Sequence, residues 1–316
     1  MPALLDLPAP AKLNLFLHVV GRRADGYHLL ESVFALTDWH DTLHIETRTD
    51  GRIARHDLPG GDGLAPSHLP AQDLCVRAAT LLKTTAQTSL GCDIHLLKRL
   101  PSGAGLGGGS SDAATVLLAL NHLWGLHWPL SRLAALGVQL GADVPFFIHG
   151  QTAWVSGIGD IITPLPHHPA LGQILPATVA ILKPPVHVPT PAIFGSPHLK
   201  RDTAHAIVED FLAAPQSFGR NDLQGPAETY VPDGCPEQAG QITKALAILQ
   251  NRYGNSRMTG SGSAVFAWVN PADTSHTQPP GSLALADLPG SQWLGRVCRT
   301  LDRHPLHERL SALAGH

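Results

Sequence analysis

RLPSGAGLGGGSSDAATVLLALNHLWG, residues 99–125, sets five glycines and three serines directly in front of an apolar, helix-forming run and a sixth glycine behind it. So bare a main chain is a poor linker between a strand and a helix, but it suits a loop that something must approach closely. A glycine loop opening a helix leaves backbone amides free. It also points the positive end of the helix dipole at the same place, which makes a cradle for phosphate. Pro101, Ser102, Gly103, Ala104, Gly105, Leu106, Gly107, Gly108, Gly109, Ser110 and Ser111 form that cradle. Ser110 and Ser111 add hydroxyl donors, and a serine hydroxyl can also ligate Mg²⁺. Ser110, Ser111 or Asp112 is placed to cap the helix, which runs to about Trp124 and stops at Gly125.

Upstream, AKLNLFLHVVG (11–21) alternates as a strand. Leu13, Leu15, Leu17 and Val19 fall on one face, and Lys12, Asn14, Phe16 and His18 on the other. A turn around Asp25-Gly26 follows, then one or two strands over SVFALTDWHDTLHIETR. An amphipathic helix covers PAQDLCVRAATLLKTTA, and the strand CDIHLLKRL leads into the glycines. Downstream, Ser131 caps a helix ending near Gly141, Asp143 sits just past that end, and strands follow. The second half offers helices around 203–214 and 238–252, then a second glycine turn, SRMTGSGSAVFAWVN, running into a strand. This order is α+β in two domains, residues 1–165 and 166–316, rather than a regular βαβ alternation.

Bulk properties narrow the function. The 316 residues are 43% hydrophobic and 15% charged, which suits a folded protein long enough for two domains. A net charge of −3 gives no basic footprint for nucleic acid. The 19 histidines include no HExxH, and the pair His167-His168 lies in a proline-rich stretch. Cys75, Cys92, Cys235 and Cys298 form no CxxC and read as reduced thiols of a cytoplasmic protein. Neither a signal peptide nor a run of about 18 apolar residues is present, so no membrane association is expected.

The stretch GAGLGG (103–108) matches the dinucleotide pattern GxGxxG, but no acidic residue on a following strand stands about 20 positions on. No Lys-Ser or Lys-Thr closes a P-loop, and the HRD and DFG signatures of protein kinases are missing. PSGAGLGGGSSDAA does resemble the central motif of the GHMP small-molecule kinases. PAPAKLNLFLHVVGRRADGYHLLESVF, GADVPFFIHGQTAWVSGIGD, PTPAIF and RMTGSGSAVFA are similar to one branch, the kinases of 4-diphosphocytidyl-2-C-methyl-D-erythritol in the non-mevalonate isoprenoid pathway. The likeness runs from about Pro8 to Phe266, and Gly26-Tyr27-His28 separates the branch from its relatives.

That resemblance implies a ribosomal-S5-like N-terminal domain that binds ATP and a ferredoxin-like C-terminal domain on the substrate side. It implies transfer of the γ-phosphoryl of ATP to the substrate's 2-hydroxyl, with Mg²⁺ bridging phosphate oxygens and Ser110 as a metal ligand. The family's catalytic pair falls on Lys12 and Asp143. Chemically, Asp143 could take the hydroxyl proton while Lys12 stabilises charge on the moving group. Substrate recognition carries over to Asn14, Tyr27, His28, Thr190 and Phe194, with the cytosine ring stacked between Tyr27 and Phe194. TGSGSA (259–264) would bring the second domain to the site. Asp73 stands where relatives carry an adenine-holding Asn, His149 stands where basic residues are common, and the loop 271–290 reads as an insertion. Rival readings are a GHMP kinase for another acceptor, a nucleotide-binding relative without catalysis, and an NAD-dependent oxidoreductase.

Overall fold

A hairpin of two unusually long strands organises the molecule: β1 (Ala3–Arg22) pairs antiparallel with β2 (His28–Arg48) around the Asp25-Gly26 turn. The computed structural model describes residues 2–60, 72–165, 175–232, 234–270, 288–290 and 292–314. His167, His168 and nearly all of the 271–290 stretch lie outside the described residues.

The pairing of β1 and β2 is not regular. Asn14 lies opposite Phe34 and Phe16 opposite Val33, so Leu15 is one residue too many on β1. Such a bulge reverses which face the following residues take. The expected face of Lys12, Asn14, Phe16 and His18 is therefore broken after Asn14. Lys12 and Asn14 share their face with Leu17, Ser32 and Phe34, which line the central cleft beside them. Phe16 turns away and packs against Phe211 and Phe218, with His18 beside it.

Beside β2, β4 (Gly91–Leu97) runs antiparallel, and β3 (Ile53–Asp57) joins β4 in parallel. A small hairpin of β5 (Ala153–Ser156) and β6 (Ile161–Pro164) pairs with the start of β2. In the second half, β7 (Thr178–Lys183) pairs with β9 (Val265–Trp268), which carries the short β8 (Arg257–Met258). β10 (Leu294–Leu301) closes the sheet: it pairs along β7 and then, through Thr300 and Leu301, with β2. Ten strands of the described residues thus form one continuous sheet.

Helices α1 (Leu74–Ala86), α2 (Gly108–Leu123), α3 (Leu130–Gly137) and α4 (Val144–His149) cover the first half. Residues Ser111 to Leu120 of α2 are all buried, so this helix is surrounded on every side. It packs on α1, α4 and β1 around a core that includes Leu117, Phe146 and Phe147. On the far side lie α5 (Thr190–Gly195), α6 (Val208–Ala213), α7 (Gln224–Glu228) and α8 (Gln241–Tyr253). The last helix, α9 (Pro305–Ala314), returns to the first half, where Leu306 is buried in the same core as α2.

Several local expectations shift. Gly107, in a left-handed conformation, rather than Ser110, Ser111 or Asp112, caps α2, because the loop reaches the helix with positive φ. Pro129 rather than Ser131 precedes α3, which ends at Gly137. Residues 144–149 are helical where strands were expected: Pro145 occupies the first turn, where its missing N–H costs nothing, and Gly150 stops the helix in a left-handed cap. The strands come only after that stop. No helix among the described residues is long and apolar enough to cross a membrane.

Candidate active site

The glycine loop lies along a cleft of about 1250 Å³ at the meeting of the two halves, which Pro101 through Ser110 line. Gly103, Gly105 and Gly107 all have positive φ, at +62°, +77° and +72°, alternating with ordinary residues. Alternation of this kind turns successive N–H groups toward one concavity, a nest for an anion. The loop's carbonyls are drawn the other way. Leu106 O accepts from Lys12 N at 2.9 Å, Ala104 O from Ala264 N at 3.1 Å, and Gly107 O from Ser111 N at 2.9 Å. Among the described residues no group of the chain accepts from the amides of Gly103 to Ser110.

The turn 259–264 is locked to this loop by absence of side chains. A Cβ on Gly105 would collide with the Thr259 carbonyl, and one on Gly260 would stand 2.8 Å from Gly105 O. Thr259 Oγ1 accepts from Asn14 N at 2.8 Å, which ties the same turn to β1.

Lys12 and Asp143 meet across the cleft, Nζ to Oδ2 3.6 Å. The Lys12 side chain is 5% exposed and that of Asp143 31%, so the cation is embedded while the carboxylate faces open space. Lys12 Nζ also donates to Asn14 Oδ1 at 2.6 Å and lies 4.3 Å from the centre of the Phe34 ring. Burial lowers the Lys12 pKa, with the charge and hydrogen bond of Asp143 opposing it. Asn14 is itself nearly fully buried and donates from Nδ2 to Ser32 Oγ at 3.0 Å. Its amide is thus committed to orienting Lys12, and the pair reaches the cleft as one unit. Asp143 is the residue that enters α4, and Phe147 of that helix touches the loop at Gly107.

Under the loop lies a second charged group that sequence reasoning did not single out. Lys98, where β4 gives way to the loop, donates to Asp112 Oδ2 at 2.7 Å and to Asp41 Oδ2 at 2.5 Å. Asp41, fully buried, also accepts from the backbone N–H of Arg99 and Leu100, at 2.6 and 2.7 Å, and so fixes the entry to the loop. Burial opposes the Lys98 charge, but Asp112 and Asp41 outweigh it and raise its pKa. Burial pushes the Asp112 carboxyl up to about 8; Lys98 pulls it down and the like charge of Asp41 adds to the rise. Ser111 Oγ and Asp112 Oδ1 are buried without partners, whereas Ser110 lines the cleft.

At the far end of the cleft, Asp73 caps α1 through Cys75 N (2.8 Å) and Val76 N (3.1 Å) and pairs with Arg55 at 2.9 Å. The carboxylate that replaces the expected Asn is therefore already engaged with its own cation. On the other side, Thr190 and Phe194 of α5 line the cleft, and Thr190 Oγ1 shares a 2.7 Å hydrogen bond with Ser261 Oγ. His28 and Phe194 are ring neighbours at 5.0 Å and 30°. Tyr27 stands 60% exposed at the end of the hairpin turn and makes no ring contact with Phe194. His149, at the end of α4, is half-buried, and burial lowers its pKa.

Three cations of this arrangement escaped the sequence, Lys98, Arg55 and Arg201, the last hydrogen-bonded to His28, as did Asp41 beneath the loop. Only the parallel pairing of β3 on β4 brings Arg55 to Asp73, and only the folded second half brings Arg201 to His28, so no local spacing announces them.

Residues 73–151 match the family described as the GHMP kinases N terminal domain. The 4-diphosphocytidyl-2-C-methyl-D-erythritol kinase of Methylibium petroleiphilum is 56% identical over 306 residues, covering 97% of this chain and 98% of its own. The enzyme of that name from Verminephrobacter eiseniae is 53% identical over 317 residues, 97% of each chain. Among solved structures, a 4-(cytidine 5'-diphospho)-2C-methyl-D-erythritol kinase superposes with a TM-score of 0.71 at 31% identity, over 93% of this chain and 99% of that one. A mevalonate kinase shares the fold, with a TM-score of 0.62 at 14% identity over 95% of this chain and 100% of that one.

Proposed function

Because the chain belongs to the 4-diphosphocytidyl-2-C-methyl-D-erythritol kinase family, a branch of the GHMP small-molecule kinases, we propose that it phosphorylates the 2-hydroxyl of that substrate from ATP, a step of the non-mevalonate isoprenoid pathway. The observation that carries the reading is the convergence of two features on one cleft: a loop whose amides have no acceptor among the described residues, and the Lys12–Asp143 pair beside it.

Bound ATP supplies the γ-phosphoryl group, and Mg²⁺, when bound, would neutralise charge on the phosphate oxygens. The loop amides from Gly103 to Ser110 and the start of α2 hold the phosphates, with Pro101 and Ser102 at the edge. Among the described residues no three His, Cys, Asp or Glu side chains converge as metal ligands. Ser110, which lines the cleft, would be the protein's ligand to a bound Mg²⁺, an ion that commonly keeps phosphate and water oxygens as its other ligands. Asp143 accepts the proton of the 2-hydroxyl as its oxygen bonds to phosphorus. Lys12, held by Asn14, sets its positive charge against the oxygens of the moving group.

Thr190, Phe194 and His28 take the cytidine end, with exposed Tyr27 free to fold over the base stacked on Phe194. In this reading residues 1–165 form the nucleotide side and residues from 166 onward the substrate side. Four free thiols support the reducing conditions of the cytoplasm.

The test is direct. Purified protein with ATP, Mg²⁺ and 4-diphosphocytidyl-2-C-methyl-D-erythritol should give a product one phosphoryl group heavier, with ³¹P coupling that places it on the 2-oxygen. Turnover of mevalonate or homoserine instead, with none of the cytidine substrate, would overturn the assignment.

A further inference from the structure

The guanidinium of Arg201 makes four hydrogen bonds. Its Nε donates to His28 Nε2 at 3.0 Å, Nη1 to Leu199 O at 3.0 Å, and Nη2 to Phe194 O at 3.0 Å and to Ser196 O at 2.9 Å. One planar group therefore binds the imidazole from β2 to the backbone of the residue whose ring lies 5.0 Å from it. A guanidinium can only donate, so the nitrogen that receives its Nε–H is an acceptor. Neutral His28 must then carry its proton on Nδ1. Among the described residues no group of the chain accepts from that Nδ1–H. Burial, then Arg201, then Arg22 lower the His28 pKa, which keeps the ring in this one neutral form.

We propose that Arg201 is a positioning residue that sets base specificity: it fixes His28 as an Nδ1–H donor beside Phe194, so the site accepts a pyrimidine with an acceptor at N3, cytosine, over one with a donor there, uracil. The inference rests on the cytidine reading above and adds a cause to it. A donor facing the N3–H of uracil leaves two hydrogens opposed, whereas cytosine N3 completes the bond. Without Arg201 the neutral imidazole can move its proton to Nε2, and Nδ1 then presents a lone pair to the cytosine lone pair. Acid repairs this defect, because the doubly protonated ring again donates from Nδ1.

The decisive variant is Arg201→Gln. At pH 8 its KM for the diphosphocytidyl substrate should rise by about tenfold, the effect of one lost hydrogen bond of ordinary strength. KM for ATP should stay in place, and the preference of CDP over UDP as inhibitor should shrink. At pH 5.5 the gap in KM from wild type should narrow. A purely structural loosening would raise KM equally at both pH values, and that result, or an unchanged KM, would overturn the proposal. A second measurement does not depend on the variant folding: ¹⁵N spectra of the wild-type protein, with His28 assigned through His28→Gln, should show Nδ1 protonated and Nε2 bare. The opposite tautomer would overturn the proposal by itself. Wild-type turnover keeps the two claims apart. Its absence overturns the functional reading and this one together, whereas turnover with a pH-independent defect overturns the role of Arg201 alone.

Discussion

A single methyl group at Gly107 should damage catalysis while leaving every catalytic residue in the sequence unchanged. Gly107 has φ +72°, and a Cβ there would stand 2.9 Å from Phe147 Cζ and 3.1 Å from Lys12 Cγ. Comfortable carbon–carbon contacts begin near 3.5 Å, so both neighbours must move by about half an ångström. The left-handed backbone costs an alanine about 1–2 kcal/mol, and overpacking a dense interior adds about 1–3 kcal/mol. Gly107→Ala should therefore lose about 2–5 kcal/mol of stability. Lys12 and the helix behind Asp143 are the parts displaced, and misplacement of about 1 Å can cost a factor of about 10² in rate, so kcat should fall by about 10- to 100-fold.

Gly125 provides the control. Its φ is +65°, but a Cβ there meets nothing within 4 Å. Gly125→Ala shares the backbone cost of about 1–2 kcal/mol and should keep the wild-type kcat. Urea melts and steady-state turnover at saturating substrates measure both effects. A Gly107→Ala enzyme with full kcat, or a Gly125→Ala enzyme equally slowed, would refute the link from loop to lysine.

Other expectations concern charge and recognition. Asp143→Asn should fold normally and lose about 10²- to 10⁴-fold in kcat; wild-type turnover in that variant would remove Asp143 from the mechanism. Since burial lowers the Lys12 pKa while Asp143 raises it, the wild-type kcat should decline on the alkaline side below the ordinary lysine range. In Asp143→Asn the residual activity should decline at still lower pH, and a profile flat to pH 10 would contradict a required ammonium. Phe194→Ala should raise KM for the cytidine substrate well above any change in KM for ATP, and equal changes would count against base stacking. For Asp112 the sign runs toward acid stability. Its folded pKa, about 8, lies above the unfolded carboxyl value, so its contribution is full below pH 4 and is lost as pH rises toward 8. Asp112→Asn removes that titration, so melts should show the variant gaining on wild type between pH 5 and pH 9; a constant difference would refute the shift.

The parts of the site that depend on short-range chemistry were open to reading in the sequence. Glycines between a strand and an apolar helix foretell a loop of left-handed turns, and Gly125 foretells a stop, because backbone sterics act within a few residues. What escaped was everything set by partners far along the chain. The alternation over 11–21 is genuine up to Asn14, but the bulge at Leu15 is visible only against β2, and it exchanges Phe16 for Leu17 on the cleft face. Residues 144–149 carry an apolar run too short to separate strand from helix by periodicity, and burial on α2 decides for helix. The serines after the glycines have good capping chemistry, yet the loop's left-handed turns deliver Gly107 to the cap position first. Arg55, Lys98 and Arg201 each find their carboxylate or imidazole 14 to 173 positions away or at a comparable remove, where no spacing rule reaches.

The way β10 joins both halves bears on how the protein comes into being. A ribosome releases β1, β2 and the glycine loop early, but the strand that bonds β2 to β7 emerges only when synthesis has passed residue 301. Until then the nascent sheet is two separate pieces, and Leu306 has yet to fill its place under α2. Completion of the sheet is thus a late event, and a message cut short of β10 encodes a chain whose halves meet through the glycine loop and the 259–264 turn but share no sheet.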